Sequence, residues 1–304
     1  MSRVTLLSGG VGGARAARGF AAVLDPADLT VIVNVGDDDR VHGVHVSADV
    51  DTVVYTLAGV EGANGWGRAD DTFTVMDALE GLGVDTTFRL GDLDLATCVA
   101  RTEALAAGEP LSEITARIAA ALGVEHRVIQ ATDDRLLTRV RSTGGEWIPF
   151  QEYFVVRGHQ DRVDEIEFDG SEQAKPAPGV IEAIREADLV VIAPSNPPLS
   201  IWPILAIREI HDAVLAHPRV IAVSPLFGGK AIKGPADRVM ASLRLPPGTA
   251  GVLAAYRALL DDLIVDRGDA DEEVDAGTVR IHALDTRIAD PAAAARFARE
   301  VLAL

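Results

Sequence analysis

Asp37, Asp38 and Asp39 follow an apolar, β-branched run, and Asp49 and Asp51 come a short loop later. Carboxylates massed at the end of a strand suit Mg²⁺, a hard ion that takes oxygen ligands and usually keeps waters and substrate phosphates in its shell. The plain alternative is a solvated turn followed by a helix cap, and Asp39, next to Arg40, reads as only that. Upstream, Ser8-Gly9-Gly10-Val11-Gly12-Gly13 joins another apolar run to a helical pattern. Glycines there admit positive φ and close backbone approach, and the free N–H groups at a helix start face an anion. The loop reads as a phosphate cradle or as a tight strand-to-helix turn. It is not a Walker A loop, because no Gly-Lys-Ser/Thr closes it. It also departs from the dinucleotide fingerprint, with Arg15 where the third glycine belongs.

Two further loops share this design. Pro194-Ser195-Asn196-Pro197-Pro198 is stiffened by prolines and offers the short donors and acceptors of Ser195 and Asn196, which suit a base or a phosphate. Ser224-Pro225 with Gly228-Gly229-Lys230 and Lys233 brings cations to an otherwise acidic chain, one of Lys230 and Lys233 being a candidate phosphate contact and a solvated lysine the plain alternative. His42 and His45 lie between the two acidic groups and can touch substrate. With no cysteine nearby and no His-x-x-x-His helix they are poor zinc ligands. Trp66 in "NGWG" can stack on a flat ring or pack its own loop, and Asp133-Asp134 is a second acidic pair whose plain reading is a turn. No Gly-x-Ser-x-Gly elbow and no recognisable Cys–His pair supports covalent catalysis.

These loops need strands to aim them. Val4–Leu7, Thr30–Val35, Leu189–Ala193 and Val220–Val223 read as buried parallel strands, because their apolar runs do not alternate with polar residues. In an open α/β sheet ligands sit beyond the carboxyl ends of the strands, so four polar loops at four such ends describe one composite site. Val11–Leu24 and Asp49–Leu57 read as helices, the second capped by Ser47 or Asp49. An Ala/Leu-rich block over 66–125 is too long for an ordinary crossover and is expected to be a helical insertion. Short alternating runs over 136–170, "WIPFQEYFVV" among them, suggest a small antiparallel β section. Pro291–Leu304 closes the chain as a helix with Asp290 as N-cap. The expectation is a single α/β domain over 1–304: a Rossmann-like, mainly parallel sheet flanked by helices.

The chain has 304 residues, a net charge of −18, and 48% hydrophobic against 5% aromatic residues, so aliphatic packing must dominate its core. The negative charge argues against nucleic acid and anionic membranes as partners. One cysteine, Cys98, leaves no intramolecular disulfide and no cysteine zinc site. No apolar run approaches the length of a membrane span, which points to a soluble, cytoplasmic protein.

Taken together the motifs resemble the 2-phospho-L-lactate transferase family of deazaflavin biosynthesis (CofD, or FbiA in actinobacteria). The likeness is nearly full-length. It rests on "SGGVGGAR" at 8–15, "NVGDDD" at 34–39, "SADVDTVVYTL" at 47–57, "GWG" at 65–67 and "DDTF" at 70–73, then "LGDLDLAT" at 90–97, "TDDR" at 132–135, "PFQEYFV" at 149–155, "APSNP" at 193–197 and "SPLFGGKAIKGPAD" at 224–237. Ala48 stands where a proline is common. The resemblance implies a Rossmann-like core, Mg²⁺ dependence and a homodimer. It also implies attack by the ribityl hydroxyl of the deazaflavin Fo on a guanosine-diphosphate-linked phospholactyl or phosphoenolpyruvyl donor, with release of GMP and formation of the coenzyme F420 core. On that reading Gly9, Gly10, Gly12 and Gly13 with Ser195 and Asn196 hold the diphosphate and guanosine. Asp37, Asp38, Asp49 and Asp51 hold Mg²⁺, and Asp51 or Asp38 orients the hydroxyl proton. Ser47, His42, Trp66 and Lys230 contact substrate, Trp66 beside the deazaflavin. The actinobacterial look of the chain favours the phosphoenolpyruvyl donor. Two other classes are a noncatalytic regulator of the related family, which keeps similar loops, and a dinucleotide-dependent oxidoreductase. The missing third glycine and the crowd of acids where one ribose-binding acid is expected speak against the latter.

Overall fold

The β-branched runs pair side by side in a seven-stranded parallel sheet, as non-alternating apolar runs should when both faces are covered. The structure is a computed structural model that describes residues 2–304. In chain order it runs β1 (Val4–Ser8), α1 (Gly10–Ala21), β2 (Leu29–Val33), a short hairpin of β3 (Asp39–Val41) and β4 (Val44–Val46), and α2 (Ala48–Ala58). Then come α3 (Thr74–Gly81), α4 (Asp92–Ala106), α5 (Leu111–Ala121), β5 (Arg127–Gln130), β6 (Leu137–Ser142), β7 (Trp147–Pro149) and β8 (Val163–Asp169). The second half holds α6 (Val180–Glu186), β9 (Leu189–Ile192), α7 (Trp202–Leu205), α8 (Arg208–Leu215), β10 (Val220–Val223), β11 (Leu226–Phe227) and β12 (Lys230–Ala231). It ends with α9 (Ala236–Ser242), α10 (Gly248–Tyr256), β13 (Asp262–Asp266), β14 (Arg280–Leu284) and α11 (Pro291–Leu302).

The strand order is β14-β13-β10-β9-β1-β2-β5. The chain grows outward from β1 through β2 to β5 on one side and from β9 through β10 to β14 on the other. The order therefore reverses between β1 and β9, which pair in parallel from Val4↔Leu189 to Leu7↔Ile192. A reversal of this kind opens a crevice at the carboxyl ends of the two strands. Every residue of β1, β9 and β10 is buried. α1 packs against α2 and α11, and it meets α11 so closely at Gly19 that a Cβ there would overlap the carbonyl oxygen of Ala294. At the start of α11 the Asp290 carboxylate accepts the Ala293 N–H at 2.8 Å, and Pro291 occupies the first turn, as expected from sequence.

Two small cores stand beside the main one. Val46, Met76, Leu90 and Cys98 pack the β3–β4 hairpin against α3 and α4, within the block expected to be helical. Val140, Ile148, Tyr153, Val163, Leu199 and Val239 pack the antiparallel sheet β7-β6-β8 against the segment after β9. That sheet answers the expectation for 136–170, with one departure. The string "WIPFQEYFVV" is extended only to Pro149, after which Glu152–Val156 winds as a π-helical turn. Phe150 and Phe154 then stack at 5.3 Å between ring centroids, which helical winding permits and an extended strand would not. Among the described residues no helix is long and apolar enough to cross a membrane.

Candidate functional site

The crevice between β1 and β9 opens into a cavity of about 820 Å³. Its wall takes Gly9, Gly10 and Gly12 from the loop after β1 and Ser195 and Asn196 from the loop after β9. The two loops are locked together. The Ser195 hydroxyl donates to the Gly9 carbonyl at 2.7 Å and accepts the Gly9 N–H at 3.2 Å. A Cβ at Gly12 would overlap the Pro194 carbonyl oxygen, and one at Gly13 would overlap the hydroxyls of Ser8 and Ser195. These two glycines are thus required by loop-on-loop packing. Gly10 is different: a Cβ there would meet only the Asp49 and Ser200 side chains at ordinary contact distance, but its φ of +63° is a conformation that other residues rarely adopt. Asn196 is also committed locally, its side-chain carbonyl accepting the Leu199 N–H at 3.3 Å to start the turn Pro197–Ile201.

Four carboxylates sit beside the glycine loop, and all four are buried. Asp49, one residue into α2, accepts the Gly10 N–H at 2.6 Å. Asn34, at the end of β2, donates to Asp49 at 3.0 Å and to Asp37 at 3.3 Å and so bridges the pair. Burial raises Asp37 well above the ordinary carboxylate range, and the charges of Asp49 and Asp38 add to this. Burial also raises Asp49, to about 6, against the hydrogen bonds from Asn34 and Gly10. Both line the cavity. Gln151, from the segment after β7, donates to the Asp37 carbonyl at 2.6 Å and ties the antiparallel section to this loop.

Asp38 and Asp51 are held by other groups. Asp38 Oδ2 accepts from His45 Nε2 at 2.9 Å and from the Ser47 hydroxyl at 2.7 Å. Ser47 stands at the N-cap position of α2, yet its hydroxyl serves Asp38 and not the helix. Asp51 forms an ion pair with Arg101 of α4, a fully buried arginine whose Nη1 also donates to the His45 carbonyl at 3.3 Å. Burial raises Asp51 even so, against the Arg101 charge. Two carboxylate oxygens remain buried without a donor, Asp38 Oδ1 and Asp51 Oδ2. An atom of that kind calls for a proton or a cation.

The acidic group of three whose ligand atoms all lie within 4.8 Å of one another is not drawn from the expected quartet alone: it is Asp51, Asp94 and Cys98. Its chemistry suits a hard cation poorly, because burial pushes the Cys98 thiol far up and keeps it neutral, and Arg101 already faces Asp51. Asp94, on α4, lines the cavity and accepts the Tyr55 hydroxyl at 2.8 Å. Burial and the nearby Asp51 charge raise it to about 6.

Several expected contacts lie elsewhere. His42 donates from Nε2 to the Phe88 carbonyl at 2.7 Å and, like Ser47, Asp38 and Gly13, is not on the cavity wall. Lys230 is exposed on β12 and also off the wall. Lys233, three residues on, lines the cavity, with its ammonium 5.8 Å from the centre of the Trp66 ring and 3.2 Å from the Asn64 carbonyl. Trp66 does reach the cavity, together with Tyr55, Phe88, Phe150 and Phe154. Lys233 was named from sequence beside Lys230, but Asn34, Tyr55, Asp94 and Gln151 were not singled out. All four stand inside motifs that were, so the signal was there, but no spacing rule says which member of a motif faces inward.

The family model described as 2-phospho-L-lactate transferase CofD matches residues 4–296. A phosphoenolpyruvate transferase of Streptomyces griseus is 43% identical, the alignment covering 99% of this chain and 98% of that one. A 2-phospho-L-lactate transferase of Methanopyrus kandleri is 40% identical over 99% of this chain and 96% of that one. In three dimensions the chain is similar to a Bacillus halodurans protein of the UPF0052 family, with a TM-score of 0.63, 16% identity and 99% of both chains covered, a likeness of fold alone. A match of this length, with relatives this close at both ends of the chain, makes the protein a transferase, and it belongs to the CofD family.

Proposed function

We propose that this protein transfers a phosphoenolpyruvyl or phospholactyl group from a guanosine-diphosphate-linked donor to the ribityl hydroxyl of Fo, releasing GMP in the biosynthesis of coenzyme F420. The observation that carries the reading is the pairing of Asp37 and Asp49 across Asn34, next to the Gly10 N–H, at the topological switch point of the sheet. Phosphoryl transfer asks mainly for positioning and charge neutralisation. The loops after β1 and β9 supply the first. Two buried like charges that resist ionisation, with an orphaned Asp38 oxygen behind them, are suited to the second.

Mg²⁺ fits this oxygen-only donor set, and Asp37 and Asp49 would hold it. When bound it would neutralise the diphosphate and lower its repulsion toward the incoming hydroxyl. Arg101 holds Asp51, and His45 and Ser47 hold Asp38, so these two act here as fixed charges behind the pair. The Gly10 N–H, freed from Asp49, becomes a donor to phosphate. The aromatic wall of Phe88, Phe150, Phe154 and Trp66 suits the flat deazaflavin. Relatives of Streptomyces named phosphoenolpyruvate transferases support the enolpyruvyl donor. We take the enzyme to act in the cytoplasm as a homodimer, for which light scattering at micromolar concentration is the check. Purified protein, Fo, Mg²⁺ and each guanylylated donor test the reaction by product mass. The dehydro product should dominate. Product from the lactyl donor alone would reverse the donor assignment, and no Fo-dependent GMP release from either would overturn the reaction.

A further inference from the structure

The groups facing Asp94 divide the work at this wall of the cavity. Asp51 and Tyr55 come from α2, Asp71 from the loop before α3, and Cys98 and Arg101 from its own helix. Asp51 was the first candidate to receive the hydroxyl proton, but its geometry is wrong for that task. Asp51 lines the cavity as well, but one of its oxygens is in the ion pair with Arg101 and the other is sealed from solvent without a partner. A sealed oxygen cannot reach a proton on a substrate. Asp94 has the opposite arrangement. Its Oδ1 is fixed by the Tyr55 hydroxyl at 2.8 Å, while its Oδ2 makes no hydrogen bond within the protein and is not sealed. The side chain is half-buried on the cavity wall, and its ligand atom lies within 4.8 Å of that of Asp51.

Resting on the transfer reaction proposed above, we propose that Asp94 is the catalytic carboxylate that receives the proton of the attacking hydroxyl, with Tyr55, Asp51 and Arg101 as its positioning residues. The hydroxyl oxygen forms a bond to the phosphorus that carries the enolpyruvyl or lactyl group. Its O–H bond breaks and the proton passes to Asp94 Oδ2. The bond from that phosphorus to the bridging oxygen breaks, and its electron pair leaves with GMP. Asp94 then returns the proton to solvent. Burial and the fixed Asp51 charge raise Asp94 to about 6, which leaves it mostly ionised at neutral pH yet a stronger base than an ordinary carboxylate. The Tyr55 hydrogen bond pulls the other way.

The test compares wild-type protein with Asp94→Asn and Tyr55→Phe, using Fo, Mg²⁺ and the guanylylated donor that wild type accepts. Fo affinity is read by its fluorescence and GDP affinity by calorimetry. Asp94→Asn should lower kcat about 10²-fold or more while both affinities stay within about threefold, since proton transfer contributes about 10²- to 10⁴-fold. Wild type should lose kcat as pH falls through about 6, and the residual activity of Asp94→Asn should lack that limb. Tyr55→Phe, which removes one hydroxyl, should move the limb to higher pH. A kcat within threefold of wild type in Asp94→Asn, a loss of Fo affinity that matches the loss of rate, or a limb that Tyr55→Phe leaves in place would overturn the assignment. Wild-type protein that transfers nothing overturns the reaction beneath it and this assignment with it, whereas active wild type with equally active Asp94→Asn overturns this assignment alone.

Discussion

The crevice between β1 and β9 and the wall made by α2 and α4 hold one cavity by opposite means. In the crevice, backbone meets backbone: Gly12 and Gly13 lie flush on Pro194 and Ser195, and Ser195 closes a two-way hydrogen bond with Gly9. On the other wall, charge meets charge, with Asp51 paired to a fully buried Arg101 and Asp38 held by His45 and Ser47. The first region tolerates no added volume. The second tolerates no unpaired charge. Substitutions should therefore fail in different currencies, shape in one and electrostatics in the other.

The largest effect should come from Arg101→Met. It leaves the Asp51 carboxylate buried and uncompensated, and removing one partner of a buried pair costs about 3–5 kcal/mol. Urea unfolding measures this, and Asp51→Asn combined with Arg101→Met should lose clearly less than Arg101→Met alone. Equal losses would mean that packing and not charge holds α4 to α2. Asp37→Asn and Asp49→Asn should come next on the rate, at about 10²-fold each, the usual scale for a lost metal ligand or transition-state charge partner. Their stability should be unchanged or higher, because each removes a like-charge contact.

Gly12→Val sharpens the contrast from the other side. A side chain there would have been expected to block phosphate and weaken GDP binding more than Fo binding. The structure puts the Pro194 carbonyl in its way, so the loops must part. Overpacking of this kind costs about 1–3 kcal/mol, and affinity for GDP and Fo should fall together. Selective loss of GDP would show that the loop yields without moving its neighbour.

The pH response separates the regions again. The folded-state value of Asp49 is raised from 3.8 to about 6, so the folded protein holds its proton over that window more firmly than the unfolded chain. Its contribution to stability is complete below about pH 4 and is lost as pH rises through about 6. Melting temperature without Mg²⁺ should fall across that window, and Mg²⁺ should raise it more at pH 7.5 than at pH 5. The smallest effect is expected at the cavity mouth. Lys233→Ala removes a cation–π contact with Trp66 worth about 0.5–1 kcal/mol and should weaken ligand binding only a few-fold, while Lys230→Ala should change nothing.

The same division explains what could be read from the sequence. The parallel sheet was legible because four of its strands are apolar runs with no alternation, and the composite site followed from where such strands end. The glycine loop and the Ser195 loop were legible because loop chemistry is written locally. β14 was not, since Arg280–Leu284 is an edge strand with exposed and half-buried residues and carries no apolar run. The Asp38–His45–Ser47 cluster and the Asp51–Arg101 pair were also out of reach. Each depends on a contact that brings one acid to one specific partner, and sequence shows Asp37, Asp38, Asp49 and Asp51 with equal standing. Arg101 in particular reads as an ordinary helix-surface arginine until α4 is docked on α2.

The central claim is that Asp37 and Asp49 make the glycine loop a cation-dependent phosphate site. Calorimetric titration of GDP at pH 7.5, with Mg²⁺ and with EDTA, into wild type and Asp49→Asn tests it directly. Wild type should bind GDP at least about tenfold more tightly with Mg²⁺, the scale of about 1.4 kcal/mol, and Asp49→Asn should lose that difference. GDP affinity that is the same with Mg²⁺ and with EDTA in wild type, or a Mg²⁺ effect that survives in Asp49→Asn, would contradict it.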